Sequence, residues 1–352
     1  MPEETNAILT PLKDVSRLLL TIPLKPLQGD RFQPTGFPSL GAATYQTKDG
    51  QKLLVESAQS MANRFESTCW DTAKNRPVDV LDGISHVTVT RKGAFLTDSM
   101  LEAHRLNSVY IEKSKGDFFS KTLGEAIGVN KSEPVDRNKF LTALLKYDIG
   151  SLVHGVFLES LDGRLRIART LSSFIEASGV MVAPSGGAKI DRIQAGKDDD
   201  KTASGGFGNV PFARDEFVAD QINLYINLDL AQIRGFGLGD AVEQLIILLA
   251  LYRVRKLVDG DLRLRTACDL EPVDSNNLVA TRPEGFVIPS LTELENALTS
   301  AIKACKDLMV HTTVTFEDDL KKAKDKKEED GSGDNAGDDA ESEEDDTDNG
   351  DN

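Results

Sequence analysis

The segment Ile222–Asp229 alternates apolar and polar residues without a break, and an apolar segment follows it closely. Alternation places the aliphatic side chains on one face of a β-strand and the Asn, Tyr and Asp side chains on the other. Residues Asp240–Val258 have the length and apolar content of a core helix, with Asp240 as the expected N-cap. A further strand over 262–270 completes the unit. This order of strand, helix and strand predicts a β-α-β element in an α+β fold.

Two other segments alternate in the same way and carry arginines on the polar face. They are Arg164–Ile167 and Leu262–Arg265. A sheet with one buried face and one face of Tyr, Asn and Arg is what an RNA-binding platform presents, and the β-α-β element fits a ferredoxin-like sheet of that kind. An ordinary half-solvated antiparallel sheet has the same pattern, so alternation alone leaves both interpretations open.

Elsewhere the pattern predicts a first strand, a loop and four helices. The strand is Arg17–Lys25, ended by proline, and Arg31–Ala43 is rich in proline and glycine and therefore reads as a loop. Helical spacing of apolar residues occurs over Leu54–Trp70, Asp117–Ile127, Asp136–Tyr147 and Leu291–Met309.

Composition describes a globular chain without metal, cofactor or membrane segment. At 352 residues and 39% hydrophobic content, the chain can bury a substantial core. The longest wholly apolar run, Leu245–Leu251, is too short to span a bilayer, and the N-terminus lacks a secretory pattern. The three cysteines and four histidines are scattered, which favours neither a disulfide framework nor a metal site. We expect a cytoplasmic protein without a cofactor.

The charge is concentrated at the C-terminal end. The formal net charge is −16, yet residues 328–352 contain 13 acidic side chains and no Lys or Arg, so the remainder is nearly balanced. This segment has too few apolar residues to offset the entropy of ordering, and we expect it to be disordered. It is interpreted either as a solubilising tail or as a competitor for a basic groove.

The stretch from Val182 to Phe217 is rich in glycine and carries isolated aromatic and basic residues. Glycine lets a backbone approach phosphate closely, while aromatic and guanidinium groups stack on bases. The composition therefore favours a nucleic acid over a small molecule as the ligand. Gly235, Gly237 and Gly239 depart from a dinucleotide-binding motif, because their spacing is wrong and an acidic residue follows, so they are interpreted as turn formers.

Motifs of hydrolases, kinases and zinc proteases are absent from the sequence. Glu102, His104 and Arg105 lie together and could serve an acid–base ribonuclease, but a histidine in such a segment more often binds than catalyses. The helix over Leu54–Trp70 places Gln59, Asn63 and Arg64 on neighbouring turns. These side chains could grip a sugar–phosphate backbone or form a plain polar face.

Six segments together resemble one family. They are RFQPTGFPSLGAATY, VESAQSMANRFE, EAHRLNSVYI, GFGNVPFARDEF, NLDLAQIRGFGLG and LRLRTACDL, which lie in that order between about residues 31 and 270. The chain is similar to the CRISPR-associated RAMP family that forms the backbone subunit of the type I-G Cascade effector complex, formerly called type I-U. The acidic tail lies outside the resemblance.

The resemblance implies an α+β fold: a modified RRM or ferredoxin-like palm with inserted helices and a β-hairpin thumb. On this interpretation residues 1–315 form one domain, the thumb covers about 182–217, and 316–352 is the acidic disordered tail. The family implies antiviral defence by a subunit that polymerises along the CRISPR guide RNA (crRNA) and presents it to target DNA. The implied partners are that RNA, target DNA through the guide, further copies of the chain and other Cascade subunits, with no membrane.

The resemblance and the motifs together give a set of candidate RNA-binding residues and no catalytic ones. We expect a binding protein rather than an enzyme, with an endoribonuclease that trims the guide as the alternative. The candidate residues are Arg31, Gln33, Asn63, Arg64, His104, Arg105, Asn107, Lys189, Arg192, Phe207, Phe212, Arg214, Arg234, Arg263 and Arg265.

Overall fold

A computed structural model describes residues 7–37, 41–130, 132–189, 210–260 and 262–317. The predicted acidic tail, the tip of the predicted thumb and, with it, Arg192 and Phe207 lie outside the described residues. Within the described part of the chain, no helix combines the length and the apolar content that a membrane crossing demands.

Short and long strands alternate with helices along the chain. The strands are β1 (Arg17–Pro26), β2 (Gly36–Phe37), β3 (Gly41–Ala42), β4 (Thr44–Thr47), β5 (Gly50–Glu56), β6 (Trp70–Asp71), β7 (Arg76–Pro77), β8 (His86–Arg91), β9 (Ala94–Asp98), β10 (Val156–Phe157), β11 (Arg166–Ile167), β12 (Leu171–Ser178), β13 (Met181–Lys189), β14 (Val210–Val218), β15 (Gln221–Asp229), β16 (Leu262–Arg265), β17 (Cys268–Pro272) and β18 (His311–Thr315). The helices are α1 (Ala58–Ser67), α2 (Val109–Glu112), α3 (Gly124–Ile127), α4 (Arg137–Tyr147), α5 (Ile149–His154), α6 (Leu230–Gly235), α7 (Asp240–Asp259) and α8 (Leu291–Cys305). A π-helical turn covers Phe118–Leu123, and 3-10 turns cover Thr10–Leu12, Asp79–Leu81, Arg105–Asn107 and Lys306–Leu308.

The main sheet has seven antiparallel strands in the order β16-β17-β1-β15-β12-β5-β4. Its inner part follows the chain order β1, α1, β12, β15, α7, β17, and the four strands lie in the spatial order β17-β1-β15-β12. This β-α-β-β-α-β arrangement is the ferredoxin-like fold. The predicted fold class is therefore confirmed, and β5, β4 and β16 extend the sheet at its two edges.

One face of the main sheet is buried, because helices pack against it and form the hydrophobic core with it. Leu224 and Ile226 of β15 are buried, as alternation predicts, beside the equally buried Leu20 of β1 and Ile175 of β12. Helix α7 is apolar around almost its whole circumference, which is typical of a helix enclosed by protein. It packs against α8, α1 and α5 on that face of the sheet.

The N-terminus of α7 corrects one detail of the sequence prediction. Gly239, not Asp240, is the N-cap, and its φ of 92° lies in a region that disfavours residues with a Cβ. Asp240 is the first residue of the helix, where its carboxylate still favours the positive end of the helix dipole. The glycines at this turn therefore lie in the connection between helices α6 and α7.

Two insertions enlarge the ferredoxin-like core. The longer one joins α1 to β12 and contains helices α2–α5 together with β8 and β9, which form a three-stranded sheet with the C-terminal β18. The shorter one is the antiparallel hairpin β13–β14, inserted between β12 and β15. The two insertions leave the main sheet at opposite ends of β12.

A buried carboxylate joins the insertion to the core helices. Glu66 of α1 is 1% exposed and lies between Arg105, whose Nη2 is 2.5 Å from Glu66 Oε2, and Arg253 of α7, whose Nη1 is 3.9 Å from Glu66 Oε1. Arg253 is completely buried and Arg105 nearly so. This triad connects α1, α7 and the 3-10 turn of the insertion.

Asp148 lies next to the triad and is also buried. It accepts hydrogen bonds from the hydroxyls of Ser151 (2.6 Å) and Ser99 (3.4 Å). A Cβ at Gly150 would lie 2.8 Å from Glu66 Oε1 and 3.1 Å from Asp148 Oδ1, so the two carboxylates occupy the space of a side chain there. Burial, followed by the charge of Glu66, raises the pKa of Asp148 to about 6.

We predict that Glu66→Ala destabilises the protein by about 3–5 kcal/mol, because it leaves two buried guanidinium groups without a counter-charge. Urea denaturation followed by the emission of the single tryptophan, the buried Trp70, measures this loss. Glu125→Ala, at an exposed glutamate of α3, is the control and should change the unfolding free energy by less than about 0.5 kcal/mol. Equal effects of the two substitutions would contradict a structural triad.

We further predict a pH-dependent effect of Asp148→Asn. Because the folded pKa of Asp148 is raised, its protonated form stabilises the fold fully below the unfolded pKa of about 3.9, and that contribution is lost as the pH rises through about 6. The variant should therefore gain stability relative to the native chain between pH 4 and 7, by up to about 3 kcal/mol. Urea denaturation at four pH values tests this, and a constant difference would contradict it.

Candidate nucleic-acid interface

The second face of the main sheet is open to solvent and carries polar and aromatic side chains. On β15 the residues Asn223, Tyr225 and Asn227 are half-buried, in alternation with the buried aliphatic residues. On β1 the residues Thr21 and Lys25 are exposed. The alternation in the sequence thus gives a buried face and an open face of the expected chemistry.

An aromatic pair lies at the middle of this open face. Phe174 of β12 and Tyr225 of β15 are directly opposite each other in the strand register, and their rings stack with centroids 5.1 Å apart. At the β4 edge of the sheet, burial and then a hydrogen bond to Glu176 raise the pKa of Tyr45 to about 12, so this phenol is neutral at physiological pH. Stacked rings on an open sheet provide a platform for bases.

The hairpin β13–β14 begins at one end of the open face and coincides with the predicted thumb segment. Arg31 Nη1 lies 3.6 Å from Glu216 Oε2, and Arg214 Nη2 lies 2.7 Å from Glu216 Oε1, so both predicted arginines meet at one carboxylate at the base of the hairpin. Two backbone hydrogen bonds between Phe32 and Phe217 fasten this base to the loop before β2. The predicted Lys189 and Phe212 lie on the hairpin strands, with Phe212 opposite Gly187 in the register.

A cleft of about 1220 Å³ lies at the other end of the open face, and we call it the arginine cleft. Its walls are the turn and helix over residues 102–112 and the β10–β11 region, while Gln59, Ser172 and Gln232 close it toward the core. Ser172 is also a residue of the open face, since it alternates with buried neighbours on β12. The cleft and the open face are therefore continuous.

The cleft gathers three predicted residues and three further arginines. His104, Arg105 and Asn107 line it, as do Arg137, Arg166 and Arg169. His104, Arg137 and Arg166 are exposed, whereas Arg105 turns inward to the Glu66 triad and so contributes its charge from below the surface. The exposed ring of Phe157, 43% accessible, stands on the same wall.

The guanidinium group of Arg169 has no carboxylate partner among the described residues. It is half-buried, donates to the Gln59 side-chain oxygen, and makes no ion pair within the described part of the chain. Burial, followed by the charge of Arg105, lowers its pKa from the usual arginine value. Its Nε is buried and has no hydrogen-bond partner there. An anion that entered the cleft would supply both a counter-charge and a hydrogen-bond acceptor for Nε.

Two titratable groups of the cleft, Glu102 and His154, are already engaged within the protein. Glu102 already accepts hydrogen bonds from the hydroxyls of Thr97 (2.5 Å) and Ser108 (2.7 Å). His154 is 1% exposed and stacks on Phe65, and burial, with the charge of Arg253 next, lowers its pKa well below the usual value. It is therefore a neutral core histidine. Glu112 and Glu159 also line the cleft and limit its net positive charge.

A second buried carboxylate binds two more of the predicted arginines. Glu56, at the end of β5, is completely buried; Arg64 Nε lies 3.0 Å from it, and Arg265 Nη2 bonds its other oxygen. Arg265 also donates to the carbonyl oxygen of Gln33 (2.9 Å), and Arg64 to that of Leu264 (2.5 Å). These bonds connect β5, α1 and β16. The side chain of Arg265 is only 12% exposed.

The remaining predicted residues are dispersed. Asn63 is half-buried on α1 and accepts a weak hydrogen bond from Gln59 (3.4 Å). Arg234 donates to the carbonyl oxygen of Val15 (2.5 Å), and Arg263 is 77% exposed and 3.9 Å from Asp269. The structure thus groups the predicted residues at the hairpin base, the cleft and the Glu56 cluster, and does not unite them in one site.

The candidate RNA-binding residues did not include Arg137, Arg166, Arg169, Phe157, Phe174 and Tyr225, although alternation had placed Arg166 and Tyr225 on the polar faces of their strands. A signal was present for two of them, because Arg164, Arg166 and Arg169 form a short basic run immediately before β12. Arg137 and Phe157 come from distant segments and join the cleft only through the tertiary fold.

Metal ligation has little support within the described residues. They contain no group of three or more His, Cys, Asp or Glu side chains that could hold an ion. The three cysteines are unpaired and buried, and burial raises the pKa of the Cys69 and Cys268 thiols. The described residues that could bind a ligand here offer guanidinium, amide and aromatic groups.

Comparison with known proteins yields a family match and structural neighbours, two of which are described below. Residues 18–182 match the model of the family described as CRISPR-associated protein GSU0053, a range that runs from β1 to the start of β13. No curated protein sequence matches the chain.

The structural neighbours are distant. A chain of the structure described as "CRISPR RNA-guided surveillance complex, pre-nicking" shares 10% identity with a TM-score of 0.35, over 72% of this chain and 75% of that one. Csc2 of Thermofilum pendens shares 9% identity with a TM-score of 0.30, over 83% of this chain and 76% of that one.

Proposed function

We propose that this chain, whose residues 18–182 match the model of the CRISPR-associated protein GSU0053 family, is an RNA-binding subunit of a CRISPR effector complex of the Cascade type. Its ligand would be the guide RNA, held as a single strand. Copies of the chain would assemble side by side along the guide in the cytoplasm, together with other subunits, in a type I-G system of antiviral defence.

The observation that carries this proposal is the continuity of three surfaces. The open sheet face, with Phe174 stacked on Tyr225, has the arginine cleft at one end and the hairpin β13–β14 at the other. The eight residues of β12 separate the two ends, a distance of roughly 26 Å at about 3.3 Å per residue. A single strand of several nucleotides could lie along this surface with bases on the rings and phosphates in the cleft.

Such a surface would bind RNA almost independently of sequence. Stacking uses the π-face that every base has, and guanidinium groups bind phosphates that every nucleotide carries. The edges of the bases would stay available for pairing with complementary target DNA. Recognition of the target would then reside in base pairing, with the protein reading the shape of the guide.

We further propose that binding occurs without cleavage of the RNA. His154 is held neutral inside the core, and both Glu102 oxygens accept hydroxyl hydrogen bonds. His104 is exposed at the cleft and fits a contact to phosphate or base. The competing function is an endoribonuclease that uses His104 with Glu102.

We predict that Tyr225→Ala and Arg169→Ala weaken RNA binding in different ways. Loss of a stacking ring should cost about 1–3 kcal/mol at every salt concentration, because stacking does not release counterions. Loss of a phosphate contact should reduce the slope of log K against log salt by about 1. Fluorescence anisotropy with two unrelated 20-nucleotide RNAs, titrated between about 50 and 300 mM salt, measures both effects.

Matched controls separate these contacts from general damage. Tyr225→Phe retains the ring and should bind as the native chain does, and Arg76→Ala removes an exposed arginine that pairs with Asp79, away from the cleft. Arg76→Ala should leave both affinity and salt slope unchanged. A loss confined to one of the two RNAs, or equal losses for Arg76→Ala and Arg169→Ala, would refute backbone binding at this surface.

For the second part of the proposal, we predict that purified protein leaves a labelled precursor guide RNA intact over hours at pH 7. Denaturing gel electrophoresis detects any product. Specific cleavage that is lost in His104→Ala would overturn the binding-only interpretation. Cleavage that persists in His104→Ala would indicate a contaminating nuclease, which a repeat with independently purified protein would remove.

A further inference from the structure

The arginine cleft is lined by charged groups of both signs that do not pair with one another. Three of its guanidinium groups and two of its carboxylates make no ion pair within the described residues. These residues are Arg137, Arg166, Arg169, Glu112 and Glu159. Guanidinium groups need acceptors and carboxylates need donors, so a ligand that satisfies this cleft carries both kinds of group.

Each of the two walls of the cleft holds one of these carboxylates. Glu159 lies two residues beyond β10, on the wall where Phe157 and Arg166 are opposite each other in the strand register. Glu112 is the last residue of α2, on the other wall. A ligand between the walls would therefore meet a carboxylate on either side as well as the arginines.

Carboxylates in this cleft already accept hydrogen bonds from hydroxyl groups. Glu102, a third carboxylate of the lining, accepts from the hydroxyls of Thr97 and Ser108. Glu112 and Glu159 present the same chemistry to the cleft without an ion-pair partner among the described residues. A hydroxyl of the ligand would be a suitable donor for each of them.

The interior side of the cleft adds a group that can both donate and accept. His154 lines the cleft, is 1% exposed, and has no hydrogen-bond partner at either ring nitrogen within the described residues. Because its ring is neutral, one nitrogen is a donor and the other an acceptor. A hydroxyl group has the same two capacities. The unmet hydrogen-bonding capacity of the cleft is therefore of a kind that hydroxyl groups satisfy.

RNA carries phosphate and hydroxyl groups in every nucleotide, whatever its base. Its phosphate oxygens accept from guanidinium groups, and its 2′-hydroxyl can donate to a carboxylate. DNA has the same phosphates without the 2′-hydroxyl, so in this cleft it would meet the repulsion of the carboxylates and give them no donor. Amino groups of bases would also donate, but binding would then depend on sequence.

We propose that Glu112 and Glu159 accept hydrogen bonds from ribose 2′-hydroxyl groups and make the arginine cleft selective for RNA over DNA. Arg137, Arg166 and Arg169 bind phosphates of the same strand. The two carboxylates weaken the attraction of the cleft for any polyanion, and only RNA recovers that loss through its hydroxyl groups. The inference rests on the proposed function for the presence of nucleic acid in the cleft and adds the contact that distinguishes RNA from DNA.

The first test uses the native chain and three 12-nucleotide uridine oligomers that differ only at the 2′ position: hydroxyl, hydrogen or fluorine. The RNA should bind at least about 10-fold more tightly than the deoxyuridine oligomer at about 150 mM salt, measured by fluorescence anisotropy. The 2′-fluoro oligomer keeps an RNA-like sugar shape but has no O–H donor, so it should bind as the deoxyuridine oligomer does. A 2′-fluoro oligomer that binds as tightly as RNA would overturn the proposal, because shape would then be the property recognised.

The second test removes the two carboxylates by Glu112→Ala plus Glu159→Ala. The deoxyuridine oligomer should bind this variant about 3-fold or more tightly than it binds the native chain, because repulsion is reduced. RNA loses its hydroxyl contacts at the same time, so the ratio of RNA to DNA affinity should fall to about 2 or less. Glu125→Ala plus Asp307→Ala removes the same charge at exposed positions outside the cleft and should keep the native ratio.

The outcomes distinguish this inference from the proposed function. Equal binding of RNA and DNA by the native chain would refute the selectivity and leave the RNA-binding function standing. Binding of neither nucleic acid would refute both. A preference for RNA that persists when both carboxylates are replaced would place the discriminating contact elsewhere and overturn the inference, again without affecting the RNA-binding function.

Discussion

The charge of Glu66 is the constraint on which the arrangement of this protein depends. Two guanidinium groups, one on the central helix α7 and one on the inserted turn, point into the same interior space and can remain there only with a carboxylate between them. Gly150 stays without a side chain because that carboxylate and Asp148 fill the space. The ion triad thereby fixes how the large insertion sits on the ferredoxin-like core, and with it one wall of the arginine cleft.

The same arrangement, one carboxylate bonded to two arginines, occurs at two other places in the fold. Glu56 of β5 binds Arg64 of α1 and Arg265 of β16, and Glu216 binds Arg31 and Arg214 at the base of the hairpin. The Glu56 and Glu216 clusters each combine one carboxylate with two guanidinium groups and so carry one net positive charge. Arginines that form ion pairs with these carboxylates hold strands and helices in position. A phosphate that entered the cleft would meet less committed groups such as Arg169.

Local pattern predicted several elements but not their ionic partners, and it placed the start of the helix predicted over Leu54–Trp70 in what the structure shows to be the end of β5. The alternation in Ile222–Asp229 predicts β15 and its two faces, and apolar content predicts α7, because both signals arise within one element. The Asp240 N-cap was wrong because a positive φ at Gly239 is a property of the turn that propensity does not specify. The pairing of Arg265 with Glu56 joins residues 209 positions apart, and no local signal can reveal it. Arg265 and Arg105 therefore resembled surface arginines in the sequence.

The positions of the insertions explain why the candidate interface spans the open face. In a ferredoxin-like sheet the helices cover one face, so a ligand of any length has access only to the other. The helical insertion precedes β12 and the hairpin follows it, which places the two insertions at opposite ends of this strand. Phe174 and Tyr225 lie between these ends. A strand of RNA bound between the cleft and the hairpin would have to cross this aromatic pair, so the topology would couple stacking to phosphate contact.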